Sequence, residues 1–290
     1  MSPITSSRRD ELDVLTHASG AGSLALARQG AHVYAWQPSH ADRPVLFLSP
    51  RSLFRRGKAI RGGVPLCFPW FGPKADDPSA PQHGFARTSL WQPTTAETAA
   101  DGSTHVTLAL TDDEATRALW PHAFAARFTV TAGDRLALAL EVHNTGRTPF
   151  TFGAALHTYL AVSDVRAIVL RGLEHTRYLD KVGGRTVERR EGAAPITFTG
   201  ETDRVYLDTT AACTIEDATW NRRIHVGKSG SRSTVVWNPW SDKARALADL
   251  GEEAWPGFLC VETCNAADDT ITLAPGATHT LAAEVALSPV

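Results

Sequence analysis

The fold is decided by a stretch between Thr104 and His143 whose strand-like segments read THVTLALT (104–111), ARFTVT (126–131) and RLALALEVH (135–143). Apolar and polar residues alternate there with a period of two, which is typical of strands that bury one face. The tripeptide Ala-Gly-Asp at 132–134 separates the last two segments and predicts a hairpin turn. This stretch therefore predicts β-strands, the last two of them joined as a hairpin.

The same short period extends over most of the chain. Only two segments, 112–119 and 243–250, are predicted to be helical: the first has an acidic start, and the second is Ala-rich and followed by glycine. Many short strands with few short helices predict an all-β fold, a large antiparallel β-sandwich. The further strands are predicted at residues 22–28, 31–36, 45–48, 150–156, 168–171, 205–207, 213–216, 224–226, 233–237, 258–262, 270–273 and 279–286.

Composition narrows the class of protein. Of the 290 residues, 43% are hydrophobic and 21% are charged, and the formal net charge is −2. No long basic run indicates a nucleic-acid partner, and no apolar run reaches the roughly 18 residues of a membrane span. The N-terminal sequence MSPITSSRRDELD has no apolar run behind its positive charges, so no secretory signal is predicted. A cytoplasmic monomer is expected.

No linker, low-complexity tract or fixed repeat divides the chain. A single domain over residues 1–290 is therefore predicted, with residues 1–19 as a peripheral N-terminal extension.

Common cofactor motifs find no support. Gly227-Lys228-Ser229 resembles the end of a Walker phosphate loop, but Arg222 stands where the first glycine of that motif belongs. The sequence has no GxGxxG, HExxH or GxSxG, and its histidines show no recognisable ligand spacing. The cysteines fit no common zinc pattern and are predicted to be reduced thiols in or near the core: Cys67, Cys213, Cys260 and Cys264.

The stretch RGGVPLCFPWFGPKADDPSAPQHGFART (61–88) carries the side chains of a concave polar site. Arg61 is followed by two glycines, and a histidine-glycine pair precedes Arg87. Two guanidiniums in one pocket suit a dianion, because their planar forks match pairs of phosphate or carboxylate oxygens. The alternative is a long surface loop whose arginines are solvated.

Ionisable side chains also occur in or beside apolar strands. His157 lies in FGAALHTYL (152–160) and Glu262 in FLCVETCN (258–265). His157 can be a satisfied core residue or a catalyst. Glu262 must be solvated, paired or functional, because burying an unpaired charge is expensive. Asp203 leads into another strand, where a surface ion pair with Arg204 is the alternative to a site role.

Taken together, these motifs resemble one family. RGGVPLCFPWFGP, QHGFAR, ALHTYLAVSDV, ETDRVYLD, VVWNPW and CVETCNA occur here in the order seen in the glucose-6-phosphate 1-epimerases, which are hexose-6-phosphate mutarotases of the galactose mutarotase-like group. The similarity runs from about residue 20 to the C-terminus. It implies a mutarotase-like β-sandwich and an isomerase that interconverts the anomers of hexose 6-phosphates without a metal or organic cofactor.

By position, the resemblance implies that His157 is a general acid and Glu262 a general base. Arg61 and Arg87 resemble the arginines that hold the 6-phosphate. Proximity of opposite charges is expected to keep the base ionised and the acid protonated. The family motifs also contain Asp164, without an assigned role, and Cys264, at a position where relatives vary. Three further side chains are expected to line the sugar site: Gln82, His83 and Asp203.

Other functions stay open at this point. A sandwich of this kind can bind carbohydrate without catalysis, or act as an aldose 1-epimerase on unphosphorylated sugars. A glycoside hydrolase usually needs two carboxylates, and Asp203 beside Glu262 keeps that alternative in view.

Overall fold

The computed structural model describes residues 4–290. Its α-helices are α1 (Glu114–Leu119) and α2 (Trp240–Ala246), and single 3-10 turns lie at Ala86–Thr88, Val182–Gly184, Trp255–Gly257 and Ala267–Asp269. The strands in chain order are β1 Thr5–Arg9, β2 Leu12–Ser19, β3 Gly22–Ala27, β4 His32–Pro38, β5 Leu66–Cys67, β6 Gln92–Thr98, β7 Thr104–Thr111, β8 Phe124–Ala132, β9 Leu136–Asn144, β10 Phe150–Phe152, β11 Ala154–Leu156, β12 Tyr159–Ala161, β13 Val169–Arg171, β14 Arg177–Asp180, β15 Val187–Arg190, β16 Thr202–Tyr206, β17 Cys213–Asp217, β18 Arg222–Ser229, β19 Ser233–Asn238, β20 Phe258–Asn265, β21 Ile271–Leu273 and β22 Thr278–Ser288.

Two eight-stranded sheets form the body of the fold. The back sheet has the strand order β13-β17-β18-β22-β9-β8-β7-β6. The site sheet has the order β15-β14-β16-β19-β20-β11-β5, with β12 also paired to β20. A four-stranded sheet β1-β2-β3-β4 and a two-stranded sheet β10-β21 complete the set. The predicted all-β antiparallel sandwich is confirmed.

The stretch 104–143 supplies three neighbouring strands of the back sheet, β7, β8 and β9. Strands β8 and β9 form the predicted hairpin, in which Ala132 lies opposite Leu136. Their burial alternates residue by residue, so Phe128 and Leu140 face each other on the core side. The indole Nε1 of Trp36 donates a hydrogen bond of 3.1 Å to the carbonyl of Gly133, which ties the hairpin turn to β4.

Strand β20 divides the molecule into core and site. It is buried along its whole length, but its two faces meet different surroundings. Leu259 and Val261 join the main core that packs between the two large sheets. Cys260 and Glu262 point to the opposite face, because successive side chains alternate along a strand. The face of the site sheet that turns away from the core is therefore the one that carries Glu262.

Some predicted elements differ from the observed ones. Residues 45–48 form only isolated bridges, Leu46 with Leu160 and Leu48 with Gly62. The strand predicted over 150–156 is split at Gly153, because β10 pairs with β21 whereas β11 pairs with β5 and β20.

The second predicted helix was misplaced. It begins at Trp240 and ends at Ala246, not at residue 250. The backbone of Leu247 is extended, and the hydroxyl of Ser49 hydrogen-bonds the carbonyls of Asp249 (2.7 Å) and Leu250 (3.1 Å). The first helix is close to its prediction, because the side chain of Asp113 accepts a hydrogen bond of 2.7 Å from the backbone of Thr116 and caps it.

The strands missed from the sequence are β1, β2, β5, β6, β12, β14 and β15. Strands β1, β6 and β15 are exposed, so they lack the apolar alternation that marks a strand. Strands β5 and β12 are buried but only two and three residues long. Strand β2 is longer and partly buried. It lies in the predicted N-terminal extension, of which residues 1–3 are outside the described part, and it buries Leu12, Val14 and Leu15. That the whole chain is one domain stays a prediction.

The cysteines behave as expected, since Cys67, Cys213, Cys260 and Cys264 are all buried free thiols. Among residues 4–290, none of the helices combines the length and the apolar composition that crossing a bilayer would take.

Gly84→Ala is expected to destabilise the protein strongly. Gly84 has a φ of +75°, and a Cβ built there would lie 2.0 Å from the carbonyl oxygen of Phe68. The backbone on both sides would have to move, so the free energy of unfolding should fall by at least about 2 kcal/mol in urea denaturation. The exposed Gly192 has no positive φ and no neighbour within 4 Å of such a Cβ, so Gly192→Ala is the matched control. Equal stability of the two variants would contradict this account.

Candidate active site

A cavity of about 270 Å³ opens on the face of the site sheet that carries Glu262. Every side chain that the sequence nominated for the site lines this cavity: Arg61, Gln82, His83, Arg87, His157, Asp203 and Glu262. Segments far apart in the chain therefore meet in one place. The cavity is also lined by residues that the sequence analysis did not assign, among them Phe71, Lys181, Trp237, Lys243 and Leu247.

Strand register explains this meeting. Asp203 lies opposite Trp237, Trp237 opposite Cys260, and Cys260 opposite Tyr159 across neighbouring antiparallel pairs. Directly opposed residues of antiparallel strands share one face of the sheet. Glu262 follows Cys260 by two positions and so lies on the same face. One face of the site sheet thus brings Asp203 and Glu262 to the same cavity.

His157 and Glu262 are direct neighbours. The Nε2 atom of His157 lies 3.3 Å from Oε1 of Glu262, and their side chains are 10% and 1% exposed. His157 follows β11, where its backbone N–H donates to the carbonyl of Pro65 at 3.0 Å. The ring stacks on Tyr159 with centroids 4.9 Å apart and planes within 10°. The imidazole is therefore held at a fixed orientation toward the carboxylate.

Both members of the pair have spare hydrogen-bonding capacity. Oε2 of Glu262 and Nδ1 of His157 are buried and find no hydrogen-bond partner among residues 4–290. A buried polar atom without a partner is expensive, so each of these atoms is open to a hydrogen bond from a water or a ligand.

Burial acts on both groups against their charged forms. It raises the pKa of Glu262 well above its ordinary value, and the nearby carboxylate of Asp203 adds to the rise. It also lowers the pKa of His157 well below its ordinary value, with His83 and Arg61 adding to the fall. These directions oppose the ionised pair that proximity predicted, because desolvation outweighs the attraction between the two groups.

His83 extends the wall of the cavity. Its ring lies edge-on between Phe71 and His157, with centroid distances of 4.9 and 5.8 Å. Its Nδ1 accepts a 3.2 Å hydrogen bond from the backbone N–H of Gly72, so the proton of the neutral ring sits on Nε2. Burial, with Arg87 close by, lowers the pKa of His83 to about 3. His83 is thus a neutral hydrogen-bond donor.

Arg61 is held firmly before any ligand binds. Its Nε and a terminal nitrogen lie 3.2 and 3.1 Å from Oδ2 of Asp249, and its other terminal nitrogen donates to the hydroxyl of Tyr159 at 3.1 Å. The carboxylate and the phenol fix the guanidinium at the cavity wall, and Tyr159 connects it to the stacked His157.

The remaining cations differ in their partners. Arg87 donates to the backbone carbonyl of Gln82 at 2.7 Å. Lys243 lies 2.7 Å from a carboxylate oxygen of Glu201 and 3.7 Å from one of Asp203. Lys181 makes no ion pair within 4.0 Å in the part of the chain that the structure describes. These lysines were missed because no sequence pattern marks a lone lysine as a ligand.

Asp203, Asp164 and Cys264 were also singled out in the sequence, and the structure places each of them. Asp203 does not pair with Arg204, whose guanidinium lies 2.7 Å from Glu191. Asp164 accepts a hydrogen bond of 2.8 Å from Nε of Arg166 and is absent from the lining of the described cavity. Cys264 is buried against Val235 on the same face of the sheet.

Comparison with known proteins identifies the family. The family model for aldose 1-epimerase matches residues 13–285. The chain belongs to the aldose 1-epimerase family. It is accordingly an isomerase that acts on a sugar, and the family resemblance predicted from its motifs is confirmed.

Relatives of this family member cover most of its length. A protein of Escherichia coli (strain K12) named "Putative glucose-6-phosphate 1-epimerase" is 38% identical over 271 residues, which are 92% of this chain and 88% of the relative. A protein of the same name from Cenchrus ciliaris is 37% identical over 85% of this chain and 76% of its own. The crystal structure of "a putative mutarotase (YeaD)" from Salmonella typhimurium has a TM-score of 0.91 and 32% identity over 99% of this chain and 94% of that one.

The Glu262→Gln variant is expected to become more stable relative to wild type as pH rises. A pKa raised in the folded state means that the stabilising contribution of Glu262 is complete below the ordinary value of 4.5 and is lost as pH rises through the folded-state value. Glutamine has no such proton to lose. The free energy of unfolding of the variant, relative to wild type, should therefore increase between about pH 5 and pH 8 in urea titrations.

The exposed Glu253 provides the control, since Glu253→Gln removes a carboxylate that water solvates. A difference between Glu262→Gln and wild type that stays constant with pH would show that the buried carboxylate keeps its ordinary titration.

Proposed function

We propose that this isomerase interconverts the α and β anomers of hexose 6-phosphates such as glucose 6-phosphate. The observation that carries the proposal is the His157–Glu262 contact of 3.3 Å inside a cavity that also presents Arg61, Arg87 and Lys181. The two curated relatives bear the name of a glucose-6-phosphate 1-epimerase, which supports the same substrate. At about 270 Å³ the cavity is slightly smaller than the pockets of about 300–1,000 Å³ that hold drug-sized ligands, which suits a monosaccharide.

Anomer exchange needs two proton carriers close together. The carboxylate of Glu262 takes the proton of the C1 hydroxyl while the imidazolium of His157 gives its Nε2 proton to the ring oxygen. The bond between C1 and the ring oxygen breaks, and C1 becomes an aldehyde carbon. Rotation about C1–C2 then presents the other face, and closure returns both protons. Both oxygens are bonded to C1, so carriers 3.3 Å apart can reach them together.

The directions of the two pKa shifts assist ring opening. The ionised pair holds the same number of protons as the neutral pair and is the form that burial disfavours. Opening turns it into a neutral acid and a neutral imidazole, the forms that burial favours for Glu262 and His157. The proton transfers therefore remove buried charge at the step in which the ring breaks. The number of protons on the pair is the same before opening and after closure, so solvent need not supply one.

The cationic side of the cavity fits the 6-phosphate. Arg61 and Arg87 offer guanidinium forks, and Lys181 offers an ammonium that has no carboxylate partner within 4.0 Å among the described residues. Arg61 is partly neutralised by Asp249, so Arg87 and Lys181 are the groups whose charge the phosphate would satisfy most. Gln82, His83 and Asp203 line the same space and supply hydrogen-bonding groups for the sugar hydroxyls.

The structure also bears on the competing functions. A binding module has no need for His157 and Glu262 to lie 3.3 Å apart. Nor does it need a buried carboxylate oxygen of Glu262 that finds no hydrogen-bond partner among the described residues. A glycoside hydrolase would pair Glu262 with a second carboxylate, yet its contact is with His157. Asp203 lies instead toward Lys243, at 3.7 Å. That the protein acts as a monomer in the cytoplasm remains a prediction.

Removal of either proton carrier is expected to abolish most of the activity. Glu262→Gln and His157→Asn should each lower kcat/KM about 10²–10⁴-fold, because general acid and base terms typically have that size. The measurement is the decay of optical rotation of fresh α-glucose 6-phosphate, or anomer exchange by NMR. Circular dichroism checks that both variants are folded. Wild-type protein no faster than buffer would refute the proposed function.

Loss of a phosphate-binding cation is expected to act on phosphorylated sugar only. Arg87→Ala and Lys181→Ala should each weaken the binding of glucose 6-phosphate by about 10- to 100-fold, since a charge-assisted hydrogen bond is worth about 1.5–3 kcal/mol. Anomer exchange of free glucose should change little. Lys58 is exposed and absent from the cavity lining, so Lys58→Ala is the matched control. Equal losses on both sugars would point to an unphosphorylated substrate.

A further inference from the structure

A set of three different ligand atoms, called here the cavity floor, lies where the cavity meets the site sheet. His157 and Glu262 line the cavity, and Cys260 is buried beside them in an apolar cluster. One donor atom from each of His157, Cys260 and Glu262 lies within 4.8 Å of the others. Cys260 and Glu262 are two positions apart on β20 and share a face, and His157 approaches from the end of β11. The sequence analysis missed this set because its ligand spacing is created by strand pairing and not by a local motif.

The set has unused bonding capacity. Oε2 of Glu262 is buried and finds no hydrogen-bond partner in the described part of the chain, and the whole side chain is 1% exposed. Cys260 is fully buried and unbridged. His157 and Glu262 both line the cavity, so a small ion can reach them from there.

The geometry matches a tetrahedral metal. With Zn–N and Zn–O bonds of about 2.0–2.2 Å, tetrahedral angles place those two ligand atoms about 3.3–3.5 Å apart. Nε2 of His157 and Oε1 of Glu262 are 3.3 Å apart. A Zn–S bond of about 2.3 Å would place the sulfur about 3.6 Å from each of them, and the three donor atoms lie within 4.8 Å of one another.

We propose that the cavity floor is an inhibitory site for a soft divalent cation such as Zn²⁺, bound by Nε2 of His157, Sγ of Cys260 and the carboxylate of Glu262. A water fills the fourth position, toward the cavity. The Cys260 proton leaves to solvent when the thiolate binds the ion. The ion takes both proton carriers out of use and excludes the sugar, so zinc and substrate compete. Metal binding is independent of the proposed function, whereas the inhibition rests on it.

The donor set also predicts selectivity. Imidazole and thiolate favour Zn²⁺ and Co²⁺, whereas Mg²⁺ and Ca²⁺ require six or more oxygen ligands, and this set offers one carboxylate. An inhibitory ion is compatible with the resemblance, which implies only that the reaction itself needs no metal.

The binding test uses the full chain with Co²⁺ and Zn²⁺. Wild type should bind one Co²⁺ at this site with a thiolate-to-cobalt charge-transfer band, and Zn²⁺ should displace it. Cys260→Ser should abolish the band and weaken Zn²⁺ in isothermal titration calorimetry by at least about tenfold. Cys264→Ser is the matched control, because Cys264 lies on the same buried face of β20 and outside the donor set. Absence of the band in wild type, or its equal loss in both variants, would overturn the site.

The inhibition test measures anomer exchange of glucose 6-phosphate with increasing Zn²⁺. The apparent KM should rise with Zn²⁺ in wild type and in Cys264→Ser, and Mg²⁺ should have no effect. Bound zinc that leaves anomer exchange unchanged would overturn the inhibitory role while leaving the proposed function intact. Wild type that binds zinc but never exchanges anomers would refute the proposed function alone.

Discussion

The structure depends on a carboxylate and an imidazole that are kept out of water at a separation of 3.3 Å. Burying either charge alone is unfavourable, and an ion pair recovers only part of that desolvation energy. The protein supports the pair through the surrounding frame: Tyr159 stacks on His157, and the strands beside Glu262 are buried. The stability of the body of the fold therefore maintains a locally unfavourable arrangement at the site.

The alternation of β20 links that arrangement to the core. Leu259 and Val261 pack between the sheets, while Cys260 and Glu262 lie on the opposite face of the strand, where Glu262 lines the cavity. A register slip of one residue would exchange these two sets and place the carboxylate in the core. The same apolar residues that hold the sandwich together thus determine where the reactive group points. Core packing and site geometry are consequences of a single register.

Much of this was predictable from the sequence, and the limits have physical causes. The alternation in 104–143 identified strands β7, β8 and β9, because a half-buried strand reveals its period. Strands β1, β6 and β15 escaped notice because they bury little and so show no period. The site residues near motif positions were found, but Lys181 and Lys243 were not. Their placement comes from tertiary folding, and lysine carries no local signal of it.

The charge state of the pair was also beyond sequence reasoning. Proximity and desolvation act in opposite directions on Glu262 and His157, and only their burial in the structure shows which effect is larger. The cavity floor with Cys260 illustrates the same limit, since pairing of β11 and β12 with β20 assembles it from separate segments.

The contacts that hold Arg61 to Asp249 and Tyr159 affect how an anionic ligand binds in the cavity and leaves it. A guanidinium that is already immobilised surrenders little rotamer freedom when an anion arrives, so recognition is geometrically strict. Because an acidic neighbour offsets part of its charge, the same guanidinium grips a departing anion less tightly. Such a site selects ligands by shape and releases them quickly. This suits a catalyst whose substrate and product differ only in the configuration of one carbon.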